Sequence, residues 1–332
     1  MKKKIIIFTL LFCSLILLSG YEKNNIYKAS KNVNKEVTNV YKINNLKVNN
    51  QSYKGKGVKI GILDTGIDYT HQDLNIKGGV SILDEKDSYI DENGHGTNVA
   101  GVIGAMNDNN LTGIASDAQL YAIKVINKNG EGKEENIIQG VKWAVDHKMD
   151  ILNMSIGTKI YSKNIEDVIR QAENAGILIV APAGNSGYST KSNLSYPAKF
   201  NDVIAVGSVN KYFKRSIFSS VGSELDIMAT GENILTTSLN NKYTYESGTS
   251  IAAPYVTGAA AILLSIDHNL TNKDLKIILK VSATKLGEKH QYGSGLLDIK
   301  RAIEFVQLKK TNEQLYNLLT DKNYIFLESL KK

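Results

Sequence analysis

The sequence predicts an α/β protein with a largely parallel central sheet and helices on both faces. Short, predominantly apolar runs at 58–64, 120–126, 151–154, 177–181 and 203–206 have the length and hydrophobicity of strands buried on both sides. Helical patterns at 95–106, 134–147 and 165–175 lie between them, so strand and helix alternate as a parallel sheet requires. A third feature is the run of small apolar residues after Ser250. A helix apolar on every side is a buried helix, so this run predicts a core helix with a serine in its first turn.

Taken in order, residues 1–20 combine Lys2, Lys3 and Lys4 with an apolar run at 5–18, the form of a secretory signal peptide. That run is short for a membrane span. Leu18, Ser19 and Gly20 resemble a lipoprotein cleavage site, but Tyr21 stands where the lipidated cysteine would be. The cleavage point, and retention of the segment as a tether, therefore stay open. Residues 21–39 are rich in Asn and Lys and predict a solvated leader or arm. A single folded domain is expected over 40–305, and a helical tail over 306–332. The only cysteine, Cys13, lies in the first segment, so the rest of the chain forms no disulfide. An exported location fits this pattern, secreted or tethered.

The chain has 332 residues, 42% apolar and 22% charged, enough for a large soluble core. Its net charge of +7 falls to +4 once the three lysines of the first segment are set aside. So mild and scattered a charge, with no basic stripe, gives no argument for nucleic acid, and none is expected as a partner.

Asp64 closes the first strand run, His95 opens a helical pattern between Gly94 and Gly96, and Ser250 opens the buried helix. The free N–H groups and dipole of a helix N-terminus favour negative charge developing at Ser250. Pro254 has no N–H, and its ring crowds the carbonyl of Ser250. Alone, Ser250 could equally be a helix cap. The segments around Asp64, His95 and Ser250, in that order, closely resemble the subtilisin-like serine peptidases. Residues 153–157 and 181–187 resemble two further motifs of that family.

The resemblance implies a subtilisin-like fold and a serine endopeptidase. Ser250 would be the nucleophile, His95 the general base and Asp64 the orienting acid, with the Asn185 side chain and the Ser250 N–H forming the oxyanion hole. It implies that Ser155, Ile156 and Gly157 pair with the substrate backbone as an added strand. Pro182, Ala183 and Gly184 would wall the primary specificity pocket, with Ser195 at its base. The chemistry implies no cofactor, and Asp73 with Asp108 matches a structural calcium site. An Asn-rich turn at 107–110 is the plainer reading of that loop. His71 is expected to be structural, His147 to end a helix, and His268 and His290 to lie at the surface.

Two departures from the family pattern stand out: Asn98 replaces a histidine, and Ile251 a methionine. The expected partner is a peptide or protein substrate met by a monomer, with membrane contact only through the N-terminal segment. The short leader and modest size suggest a maturation protease that removes leader peptides from lanthipeptide bacteriocins. A broad-specificity secreted protease is the alternative, and a catalytically silent binding protein a more distant one. A nucleotide-binding protein is disfavoured because residues 64–68 lack the glycine-rich turn after the first strand.

Overall fold

The computed structural model describes residues 47–48, 51–83, 88–107, 111–317 and 319–320. Seven parallel strands form the central sheet: β1 (Lys59–Asp64), β2 (Ile76–Ser81), β3 (Gln119–Lys124), β4 (Ile151–Asn153), β5 (Leu178–Pro182), β6 (Val203–Val209) and β7 (Ile227–Thr230). Their spatial order is β7-β6-β5-β4-β1-β3-β2. The chain thus places β2 at one edge, fills the gap beside β1 with β3, then crosses back and builds outward on the other side from β4. Such a reversal opens a crevice at the carboxyl ends of the two strands, the usual place for a site in this architecture. Asp64 ends β1 there, and Ser155 follows β4 there.

Helices α1 (His95–Gly104), α2 (Glu134–Asp146) and α3 (Lys163–Asn174) connect the first strands. Gly104 of α1 approaches Leu120, whereas Gly140 of α2 approaches Leu63 and Ile123. Alternate strand residues point to opposite faces, so α1 and α2 cover the two sides of the sheet. Helix α4 (Thr249–Ile266) packs against α1 and the middle strands. All of it is buried except Ser250, Ser265 and Ile266. It is also the one described helix long and apolar enough to cross a membrane, and its burial assigns that apolarity to the core.

Several elements were not legible in the sequence. Strand β2 is a half-buried edge whose glycines, Gly78 and Gly79, and shifted register dilute any apolar pattern. The hairpin of β8 (Ile234–Ser238) and β9 (Lys242–Glu246) is rich in polar residues because it packs on a helix rather than in the sheet. Thr236 and Thr237 donate to the carbonyls of Asn98 and Thr97 at 2.5 and 2.7 Å, bracing α1. After α5 (Asn272–Ser282) and the single turn α6 (Lys289–Tyr292), α7 runs Ile299–Thr311, straight through the 305–306 boundary expected from the sequence. Val306 is fully buried, and α7 packs on α4 and α5. Residues 1–46 lie outside the described part, as do the calls for a signal segment and leader that fall on them.

Candidate active site

Asp64 is 1% exposed at the end of β1. Both its oxygens face His95 Nδ1, at 2.7 and 2.9 Å, and Oδ1 also accepts from the Thr65 N–H at 2.8 Å. The negative charge of Asp64 outweighs the cost of burial and pushes the His95 pKa from 6.5 up to about 9. Asp91 and Glu246 add to the same field. One third of the His95 side chain (34%) stays open to the cleft.

Two glycines make this pairing sterically possible. Gly94 caps α1 with φ 109°, a left-handed conformation that residues with a Cβ resist. At Gly96 a Cβ would fall 2.0 Å from the Gly66 carbonyl oxygen, so only glycine lets α1 come this close to the turn after β1.

One residue that holds the pair in place was missed in the sequence. Asp91 is 5% exposed. Its Oδ1 accepts from Thr65 Oγ1, Asn93 N and Gly94 N, each at 2.9 Å. Its Oδ2 accepts from Thr97 N at 3.0 Å and Thr97 Oγ1 at 2.7 Å. Thr65 Oγ1 in turn accepts from Gly96 N at 2.9 Å. A single carboxylate therefore caps α1 and clamps it to the turn carrying Asp64. The available signal was an acid just ahead of a helix start, a common capping choice.

Ser250 is half-exposed at the start of the buried α4. Pro254 leaves the Ser250 carbonyl without its helical partner, and Ser155 Oγ donates to it at 3.0 Å. Ser155 Oγ accepts from Asn153 Nδ2 at 2.9 Å, and Asn153 Oδ1 accepts from Thr257 Oγ1 at 2.8 Å. A chain of bonds thus runs from inside α4 back to its first turn. Asn185 is exposed. Its Oδ1 accepts from Thr249 N at 3.0 Å and Thr249 Oγ1 at 2.9 Å, which turns Nδ2 away. A methyl group placed on Gly248 would lie 3.1 Å from Ser250 Oγ and 3.5 Å from Asn185 Nδ2, so the two side chains border one small space. No hydrogen bond joins Ser250 Oγ to His95 among the described residues. Such bonds are often long in substrate-free sites and tighten when substrate binds.

A cleft of about 710 Å³ opens beside this centre. Asp64, His95, Ser155, Ile156 and Gly157 line it. Pro182, Ala183, Gly184 and Ser195 do not line that cleft; they pack next to the start of α4. Gly184 N donates to Thr249 Oγ1 at 3.1 Å, and Ser195 N to the Ala183 carbonyl at 2.9 Å.

Two of the remaining histidines, His71 and His290, are tied into the fold, whereas His147 and His268 are exposed. His71 is buried, with Nε2 against the Lys242 carbonyl at 3.0 Å and Nδ1 accepting from Asp73 N at 3.2 Å. His290 departs from the surface position expected: it is half-buried and bonds the Ser189 carbonyl through Nε2 at 2.9 Å.

The calcium expectation is only partly open to inspection. Asp73 is buried and accepts a hydrogen bond from the Tyr243 hydroxyl, while Asp108 lies outside the described residues. No three acidic, histidine or cysteine side chains converge among the described residues, so these alone do not form a cage for a metal.

A parallel α/β sheet with a paired aspartate and histidine, and a serine at a buried helix start beside an asparagine amide, defines a serine endopeptidase of the subtilisin type. Residues 55–295 match the model of the subtilase family, and the chain belongs to that family. It is 43% identical over 260 residues to Subtilisin DY of Bacillus licheniformis, covering 78% of this chain and 95% of the relative. Subtilisin NAT of Bacillus subtilis subsp. natto is also 43% identical, covering 77% of this chain and 68% of the relative. A subtilisin of Bacillus pumilus is 42% identical, covering 77% of this chain and 94% of the relative.

Proposed function

We propose that Ser250, His95, Asp64 and Asn185 carry out peptide-bond hydrolysis in an exported endopeptidase. The close Asp64–His95 pair, with Nδ1 against both carboxylate oxygens at 2.7 and 2.9 Å, is the observation that carries this reading. With Nδ1–H held by Asp64, the imidazole presents a basic Nε2. Nε2 takes the proton of Ser250 as its oxygen attacks the substrate carbonyl, and later returns it to the leaving amine. Asp64 stabilises the imidazolium formed in between. Asn185 Nδ2 and the Ser250 N–H receive the developing oxyanion, and acyl-enzyme hydrolysis repeats the sequence with water. The substrate backbone adds as a strand along Ser155, Ile156 and Gly157. Pro182, Ala183, Gly184 and Ser195 bound the primary pocket. The chain itself supplies nucleophile, base and oxyanion donors, so the chemistry calls for no cofactor.

Export rests on the lysines and apolar run of the first twenty residues. The carboxylates of Glu131 and Glu134 in the cleft wall support a selective enzyme, such as one removing leader peptides from lanthipeptide bacteriocins. Similarity to the Bacillus subtilisins favours the broad alternative. Incubation with casein and with leader peptides, read by mass spectrometry, tests both levels. Internal fragments that vanish with Ser250→Ala support the peptidase assignment, and their absence with folded wild type overturns it. Rapid, general casein digestion overturns the dedicated reading. Calcium at Asp73 and Asp108 is a structural proposal, supported by the oxygen-rich composition of the loop. A melting temperature equal in calcium and in chelator overturns it.

A further inference from the structure

The cleft beside His95 combines two chemistries. Its lining is largely apolar, with Ile126, Ile137, Ile156 and Ile165, none of them exposed, the exposed Ile160, and the rings of Tyr196 and Phe200 alongside. Its rim carries Glu131 and Glu134. Apart from Asp64 and His95, these are the charged side chains on the described wall, and no lysine or arginine lines it. Lys133, between them in sequence, is exposed and does not face the cleft.

Both carboxylates are held in place. Asn127 Nδ2 donates to Glu131 Oε2 at 3.1 Å, and Asn164 Nδ2 to Glu134 Oε1 at 2.9 Å. Neither has a cationic partner among the ion pairs of the described residues. Glu134 also sits in the first turn of α2, where an acidic side chain meets the positive end of the helix dipole. A largely apolar lining with a fixed anionic rim suits a side chain with a long hydrocarbon stem and a positive end.

We propose that this cleft selects lysine or arginine at a substrate position away from the scissile bond, with Glu131 and Glu134 as the specificity-determining residues. The proposal rests on the peptidase reading above and narrows its substrates to peptides with a basic residue at a fixed distance from the cut. A neutral rim on the same lining would instead favour leucine or phenylalanine.

The test is a set of peptides with one constant cleavage sequence, in which lysine, arginine, leucine or glutamate is walked through each position on both sides of the bond. At one position, kcat/KM with lysine or arginine should exceed leucine by about tenfold and glutamate by more. Added salt should shrink that ratio. In Glu131→Gln with Glu134→Gln the ratio should fall towards one, and in Glu134→Lys it should invert. Efficient cleavage of the leucine peptide with ratios within twofold at every position overturns the specificity and leaves the peptidase reading standing. So does an unchanged ratio in the double variant. Failure of folded wild type to cut any peptide overturns both.

Discussion

The two walls of the cleft are built differently. On the Asp64–His95 side, position is set by buried groups: Asp91 alone accepts five hydrogen bonds, and Asp64 is 1% exposed. On the Glu131–Glu134 side, the carboxylates ride on a loop and a helix start, each steadied by one asparagine. Chemistry needs atoms placed to fractions of an ångström, which a saturated buried network provides. Selectivity needs only charge of the right sign at the right depth, which surface side chains supply without disturbing the core. The first wall should therefore resist change and the second tolerate it.

Substitutions can break that contrast, and the largest effect belongs to the proposed nucleophile. Ser250→Ala should lower kcat by about 10⁶-fold, the scale known for subtilisin itself, with little change in melting temperature. Asn185→Ala should lower kcat by about 10²–10³-fold, again the subtilisin scale, while KM moves little. Because Asn185 is exposed, its loss should cost less stability than the next variant. Asp91→Ala leaves several donors at the start of α1 without a partner, at about 1–3 kcal/mol for each buried one. Denaturant titration should show a loss of at least about 3 kcal/mol, and kcat should fall as His95 loses its register with Asp64.

The smallest effect is one of pH. His95, as the proposed base, must be neutral, so activity should rise with pH along a limb displaced from 6.5 towards about 9. Asp64→Asn should draw that limb back towards neutrality. The same raised pKa stabilises the fold through protonated His95. That contribution is complete below the unfolded value of about 6.5 and is lost as pH rises through about 9. The stability difference between wild type and Asp64→Asn should therefore narrow at high pH.

What could be read from the sequence follows the same division. The buried strands ending at Asp64 and Pro182 announced themselves as short, mostly apolar runs, and the run after Ser250 announced a core helix. The glycines around His95 signalled close packing. Asp91 did not stand out, because an acid before a helix looks the same whether it makes one hydrogen bond or five. The β8–β9 hairpin did not either, since its threonines serve α1 through side-chain bonds that leave no apolar period. Nor did the acidic rim: Glu131 and Glu134 read as ordinary surface charges until folding set them in one cleft wall with five isoleucines.

The central claim is that the half-exposed serine at the start of the buried helix is the nucleophile activated by His95. Fluorophosphonate labelling, with the modified residue mapped by mass spectrometry, tests it directly. A single label on Ser250 in wild type, none in Ser250→Ala and far slower labelling in His95→Ala is the predicted result. Failure of folded wild type to label, or a label on another residue, would contradict it.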